Sequence, residues 1–412
     1  MRTRLFVGLL LAVLLVAPGS AGAKRRAQSG PVLSADSAIV VDGRDGHVLY
    51  RRAASVRRPI ASTTKLMTAL LSVEHLSLKQ RLRATPYHAA AAESLIGLQA
   101  GERMSVADLL RALMLESAND AAATLARGVG GSSQAFVQLM NRRATQLGLS
   151  HTHYENPVGL DEAGNYSSAA DLATLARIVL RNRFLADTAD MPRARLLTGA
   201  HQRIVSNRND LVARVPWIDG VKTGHTSEAG YVLVGAGTRK RVQLVSVVLG
   251  TPSIGARDAG TLALLDYGFR QYRRFAPLRR AHSVAEAKVA FFGDRRVPIE
   301  PAGTIAVSVR RGERVRTRIR APGELQGPLS AGARVGSASV YVEGRRVGTM
   351  ALVAGEAVPE AGIVRKVAHW VLRPWALLAL IAFGLVLGAR RHRRLAAADA
   401  ARRRRRESTR LE

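Results

Sequence analysis

The sequence predicts an α+β catalytic domain, an antiparallel sheet flanked by helices, followed by a small all-β domain and one transmembrane helix. Three observations predict it. Strand-like apolar runs stand at both ends of residues 37–275 and enclose a long stretch of helical periodicity. After 276 the chain turns to short apolar segments between Gly and Pro turns. Near the C-terminus lies an uncharged run, 374–389.

Taken in order, residues 1–23 carry Arg2 and Arg4, an apolar run over 5–17 and a small-residue end at Ala21-Gly22-Ala23, the pattern of a removable export signal. A polar linker, 24–36, follows. Ala38-Ile39-Val40-Val41-Asp42 and His47-Val48-Leu49-Tyr50 flank the turn Gly43-Arg44-Asp45-Gly46 and read as a β-hairpin. Pro59 precedes a run over 61–71 with apolar residues at helical spacing. Ser62 therefore falls in a helix's first turn and shares a face with Lys65.

From Ser105 to about Leu180 the signals are mostly helical, with Ser105 at a capped start and 128–131 as a glycine-rich break. Ser117-Ala118-Asn119 lies between two of these helices. The runs 231–235 and 242–249 predict two neighbouring antiparallel strands, and Lys222-Thr223-Gly224 just before them belongs on or beside an edge strand. An amphipathic helix over 258–272 closes the domain.

Residues 276–357 form the β-rich domain and 358–366 a linker. The stretch 367–389 is apolar except for His369 and Arg373, enough to span a bilayer, with Trp370 and Trp375 suited to an interface. The arginines from 390 onward place the tail, 390–412, in the cytoplasm and the catalytic domain outside it. The chain has no cysteine, which excludes a disulfide framework and a thiolate metal site.

The formal net charge is +31, yet positive residues are spread along the chain and aromatics make up only 5%, a pattern that disfavours a nucleic-acid partner. Anionic lipid for the tail and anionic wall polymer for the exported part suit it better. Arginines number 55 and lysines 7. Where a plain positive charge is wanted this chain uses Arg, so Lys65 and Lys222 call for a chemical reason. A guanidinium keeps its proton at working pH, whereas a desolvated ammonium can become a general base.

Three fragments supply that chemistry: Ser62-Thr63-Thr64-Lys65, Ser117-Ala118-Asn119 and Lys222-Thr223-Gly224. A Ser-x-x-Lys alone is weak, but the ordered triple, one box opening a helix, one in an interhelical turn and one against a hairpin, spells a serine acyl-transfer site. Ser62 is the expected nucleophile and Lys65 its base, with backbone N–H groups of Ser62 and His225 as oxyanion donors. Ser117 is expected to relay a proton to the leaving amine and Asn119 to bind substrate backbone or orient Lys65. Lys222 and Thr223 suit a free carboxylate, and Gly224 lets a ligand backbone approach. This chemistry calls for no cofactor or metal, and His151-Thr152-His153 lacks a third ligand at metal spacing.

The chain resembles the low-molecular-weight penicillin-binding proteins, serine-type D-alanyl-D-alanine carboxypeptidases with a β-lactamase/D,D-peptidase-like fold. The likeness rests on the first box in its setting Pro59-Ile60-Ala61, on Glu116-Ser117-Ala118-Asn119-Asp120, on Asp219-Gly220-Val221-Lys222-Thr223-Gly224-His225-Thr226, and on Asn156-Pro157-Val158-Gly159-Leu160. It extends more weakly to Gly332-Ala333-Arg334-Val335-Gly336 and Val340-Tyr341-Val342-Glu343-Gly344 in the second domain. The resemblance implies removal of the terminal D-Ala from peptidoglycan stem pentapeptides, acylation by β-lactams, and a carboxylate-binding role for Arg257. Such proteins are often held by a C-terminal amphipathic helix, from which the apolar run here departs; Ala118 stands where many relatives have Gly.

Other readings use the same boxes. A class A-like β-lactamase needs a second carboxylate, for which Glu155 is the candidate. A D,D-endopeptidase or transpeptidase differs only in cleft shape. A membrane-bound sensor would be acylated without turnover.

Overall fold

The structure, a computed structural model, describes residues 30–90, 93–371 and 374–408; the export signal read at 1–23 lies outside them. The central sheet is made of β1 (Ser37–Asp42), β2 (Val48–Arg52), β3 (Ile218–Thr226), β4 (Gly230–Arg239) and β5 (Val242–Thr251), all antiparallel, in the order β2-β1-β5-β4-β3. Strand β1 is buried along its whole length. Its side chains alternate between two cores: Ile39 and Val41 face one, Ala38 and Val40 the other. Burial on both faces explains a continuous apolar run where a half-exposed strand would alternate.

Helices cover each face. On one side α1 (Lys65–His75), α2 (Asn119–Gly130) and α3 (Ala169–Val179) pack over Ile39, Val41, Val234 and Val247. On the other, Leu264 and Leu265 of α4 (Ile254–Phe269) pack against Val40, Leu233 and Leu244. Serines start α3 and α4 by accepting backbone amides, Ser168 from Asp171 and Ser253 from Ala256, and Ser105 does the same from Asp108 for the short helix Val106–Arg111. The cap at Ser253 explains why α4 begins earlier than its apolar spacing suggested.

The expected end of that helix, Tyr272, instead opens the strand Tyr272–Leu278, which pairs with Ile305–Arg310. The phenol of Tyr272 donates to Asp42 at 2.6 Å, and Arg310 reaches the same carboxylate at 3.2 Å. This contact ties the end of β1 to the second domain. That domain is all-β: a six-stranded sheet and the two-stranded pairing just described enclose Leu278, Val297, Ile299, Val340 and Leu352.

The C-terminal residues form two helices, Ile363–Val371 and Pro374–Ser408. Among the described residues no helix is long and apolar enough to cross a membrane, so the single span expected at 367–389 is not supported. From Pro374 the helix reaches its first arginine after 16 residues. At about 1.5 Å per residue that is roughly 24 Å, short of the ~30 Å hydrocarbon core.

Ser62 was expected in the first turn of an α-helix. It sits instead in a 3₁₀ turn, Ala61–Thr64, that leads into α1. Two close backbone approaches shape this turn. A Cβ on Gly159 (φ +89°) would stand 2.0 Å from the carbonyl oxygen of Ala61, and one on Gly224 would stand 2.9 Å from the amide nitrogen of Ser62. Gly159→Ala is therefore expected to lower unfolding free energy by at least about 2 kcal/mol, since a left-handed backbone and a clash add. An unchanged urea midpoint would show that the turn can relax.

Candidate active site

The Lys65 side chain is fully buried, at 0% exposure. Its Nζ stands 2.9 Å from Ser62 Oγ and donates to the carbonyl of Val158 at 2.6 Å. Burial first, and then the charge of Lys222, push its pKa well below the ordinary 10.5, while Glu93 opposes the shift. The first box thus sets a serine hydroxyl against a lysine whose pKa burial lowers.

The segment matched around Asn156 holds this arrangement. Asn156 Oδ1 accepts from the amides of Val158, Gly159 and Leu160, so the chain curls around one side-chain oxygen and turns its carbonyls outward. Pro157 receives the hydroxyl of Thr68 at 2.7 Å and Val158 receives Lys65. One turn of α1 is thereby fastened to a loop more than eighty residues away.

Ser117 follows a π-helical turn, Ala112–Glu116, and has a left-handed backbone (φ 64°). Its hydroxyl is buried and has no hydrogen-bond partner among the described residues. A buried hydroxyl without a partner is costly, and a substrate group entering the cleft would satisfy it. Asn119 opens α2 and donates through Nδ2 to Glu93 Oε2 at 2.5 Å. Asp120 lies in the same first turn and accepts the amides of Ile96 and Leu98, a structural role at a helix start and not an acid's.

The third box lies on β3, the edge strand, with Lys222 opposite Val234, Gly224 opposite Val232 and His225 opposite Tyr231. Lys222 is 1% exposed and donates to the carbonyl of Thr223 at 3.1 Å. Burial and the nearby charges of Arg208 and Arg257 lower its pKa to about 7, against the pull of Glu116. Arg257 is itself buried, with Nε and Nη2 each 2.9 Å from Asp258 Oδ1. Asp258 in turn receives Arg214 at 3.0 Å. The carboxylate thus holds Arg257 where its charge reaches Lys222.

Ser62 thus meets Lys65 and Gly224, Lys222 acts on Lys65 through its charge and is itself acted on by Arg257, and Asn119 is joined to the same group through Glu93. The His225 side chain does not join them: it is exposed and stacks on Tyr231 with ring centroids 4.0 Å apart. Glu155 does not join them either, being 41% exposed and 3.4 Å from His153. His153 also bonds the carbonyl of Gly164. A cavity of about 890 Å³ at the domain junction is lined by Lys240, Arg241, Arg274 and Arg346 among others, and by residues outside the three boxes.

Known proteins repeat both domains of this chain. The sequence pattern of the D-alanyl-D-alanine carboxypeptidase peptidase family matches residues 24–253, more than half of the chain, and that of the penicillin-binding protein 5 C-terminal domain matches 272–360. The chain belongs to the D-alanyl-D-alanine carboxypeptidase family. It is 30% identical over 374 residues to D-alanyl-D-alanine carboxypeptidase DacF of Bacillus subtilis, covering 88% of this chain and 96% of that one. Against DacA of Escherichia coli the identity is 30% over 360 residues, 83% and 88% of the two chains. Penicillin binding protein 5 from Haemophilus influenzae superposes with a TM-score of 0.56 at 27% identity, covering 81% of this chain and 99% of its own. A Streptomyces DD-transpeptidase covers 59% of this chain and 99% of its own, with a TM-score of 0.57 and 31% identity.

Sequence reasoning missed four groups that bond to or act on the box residues: Glu93, its partner Tyr87, Arg208 and the carbonyl of Val158. Only Glu93 carried a local signal, a single carboxylate closing the run Ala89-Ala90-Ala91-Ala92. The Lys222 value gives a direct check. Because Lys222 is protonated below about pH 7 and neutral above it, affinity for a small carboxylate such as acetyl-D-alanine is expected to fall as pH rises through 7. Lys222→Gln should bind more weakly and with a flatter profile in calorimetry; a flat profile in the parent would assign the charge to Arg208 and Arg257 alone.

Proposed function

We propose that this chain removes the terminal D-Ala from peptidoglycan stem pentapeptides through a Ser62 acyl-enzyme. The observation that carries the reading is the fully buried Lys65 amine 2.9 Å from Ser62 Oγ, because a neutral amine at that distance can take the serine proton. Ser62 Oγ attacks the carbonyl of the penultimate residue, the proton passes to Lys65, and the oxyanion faces the N–H groups of Ser62 and His225, in the 3₁₀ turn ahead of α1 and near the end of β3. Ser117 then relays a proton to the departing D-Ala amine, and water hydrolyses the ester.

Lys222, Thr223 and Arg257 hold the substrate's terminal carboxylate while Asn119 binds its backbone. Cations gathered at one end of the cleft favour a chain end over an internal bond, hence carboxypeptidase over endopeptidase chemistry. A β-lactam presents the same carbonyl and carboxylate and is expected to acylate Ser62. The class A-like alternative is weakened because Glu155 pairs with His153 at the surface.

Catalysis of this kind belongs outside the cytoplasm, where the peptidoglycan is. The exposed apolar side chains Leu378, Ile381, Phe383 and Leu385, followed by Arg390 and Arg391, support attachment of the C-terminal helix to an anionic membrane. Removing residues 363–412 is expected to release the chain from anionic vesicles in a sedimentation assay. A full chain that stays in solution would remove the anchor.

The central test is D-Ala release from a pentapeptide ending in D-Ala-D-Ala. The parent is expected to release it, and Ser62→Ala and Lys65→Arg to lose at least about 10³-fold, because a guanidinium cannot serve as the base. A parent that binds fluorescent penicillin covalently but releases no D-Ala would instead be a sensor or a cross-link endopeptidase.

A further inference from the structure

We propose that Glu93 is a positioning residue for acyl transfer, holding the Asn119 amide in one orientation and facing Lys65 with a fixed negative charge. The inference rests on the Ser62 acyl-transfer reading and assigns to that site a carboxylate carried by none of the three boxes.

The geometry around Glu93 is built from three donors. Oε2 accepts from Asn119 Nδ2 at 2.5 Å and from the phenol of Tyr87, and Oε1 accepts from the Ala90 amide at 2.9 Å. The segment that carries it is fastened to the start of α2. Asn119 donates its backbone amide to the Ser94 carbonyl at 2.8 Å, and Asp120 accepts the amides of Ile96 and Leu98 at 3.2 and 3.0 Å. Glu93 and the second box therefore move as one piece.

Two consequences follow for the chemistry. An ionised carboxylate only accepts hydrogen bonds, so Asn119 must turn its NH₂ toward Glu93. Its Oδ1 is left to accept from a substrate N–H or from the Lys65 ammonium. Burial pushes the Glu93 carboxyl up, but bonds from Tyr87, Ala90 and Asn119 outweigh it and hold it below the usual range, so it is ionised at neutral pH.

In the acylation step the Ser62 O–H bond breaks, Oγ bonds to the carbonyl carbon, and the carbonyl electron pair moves onto oxygen. The proton goes to Lys65, which becomes a buried cation beside Lys222. Two charged side chains act on Lys65: Lys222 from β3 disfavours its protonated form and Glu93 from the loop favours it. Ser62 and the Val158 carbonyl complete its surroundings. Glu93 supplies the carboxylate that steadies the protonated intermediate state, acting across the cleft through charge and through Asn119.

The experiment uses the full chain in detergent and measures two rates against pH, Ser62 acylation by a fluorescent penicillin and D-Ala release. Glu93→Ala removes both charge and acceptor and is expected to lower the acylation rate and kcat about tenfold or more, with KM within about threefold and the urea midpoint kept. Glu93→Gln still offers an oxygen to Asn119 and should restore most of the rate at the optimum. Its acid limb should move to lower pH, because without the negative charge Lys65 gives up its proton more easily and stays a base in more acidic solution.

A Glu93→Gln acid limb that coincides with the parent's, or a Glu93→Ala variant as fast as the parent, would overturn the proposal. If Glu93→Ala fails to fold, the pH profile of Glu93→Gln decides. A parent that is acylated but releases no D-Ala would overturn the carboxypeptidase reading while leaving the acylation rates to judge Glu93.

Discussion

The 2.9 Å contact between Lys65 and Ser62 depends on keeping a lysine side chain out of water. Burial lowers the amine's pKa, and an amine without its proton can accept one from serine where an ammonium cannot. Exclusion of water is achieved by placing Lys65 at the start of α1, beneath the turn that carries Ser62 and against the 156–160 loop. The catalytic pair and the hydrophobic core are therefore one construction. Leu66, Met67, Leu70 and Leu71, which follow Lys65 on the same helix, belong to the largest apolar cluster.

That constraint accounts for the backbone features around the site. The turn at Ser62 must sit close under β3 and against the 156–160 loop, so both neighbours carry glycine at the point of contact, Gly224 and Gly159. Asn156 gathers three amides of its own loop, which frees the carbonyls of Pro157 and Val158 to reach α1. The motif around Asn156 contributes no reacting atom. It is the floor on which the base rests.

Charge is arranged against the same background. Burial, with the charges of Arg208 and of the buried Arg257, lowers the pKa of Lys222 to about 7. Tyr87 and Asn119 hold Glu93 in the ionised form opposite. The second domain is joined through Asp42, which receives Tyr272 and Arg310 at the end of β1. Strand β1, interior to the catalytic sheet and next to its edge, thus also carries the junction.

The sequence by itself determined the two-domain order, the hairpin of β1 and β2, the pairing of β4 with β5, the serine-started helices and the residue types of all three boxes. Each of these is written in local spacing: period-two or continuous apolar runs, a cap ahead of a helix, a serine and lysine three apart. The tertiary structure decided what spacing cannot encode. The carbonyl that receives Lys65 lies 93 positions along the chain, and the carboxylate that holds Asn119 lies 26 positions before it. Glu155 stood out in the sequence as a nearby carboxylate and Glu93 only as the end of an alanine run, yet the fold leaves the first at the surface and bonds the second to Asn119. The 3₁₀ form of the Ser62 turn and the transfer of Tyr272 to the second domain have the same origin. Both arise where segments distant in sequence press together, and such contacts exist only once the sheet and its helices have packed.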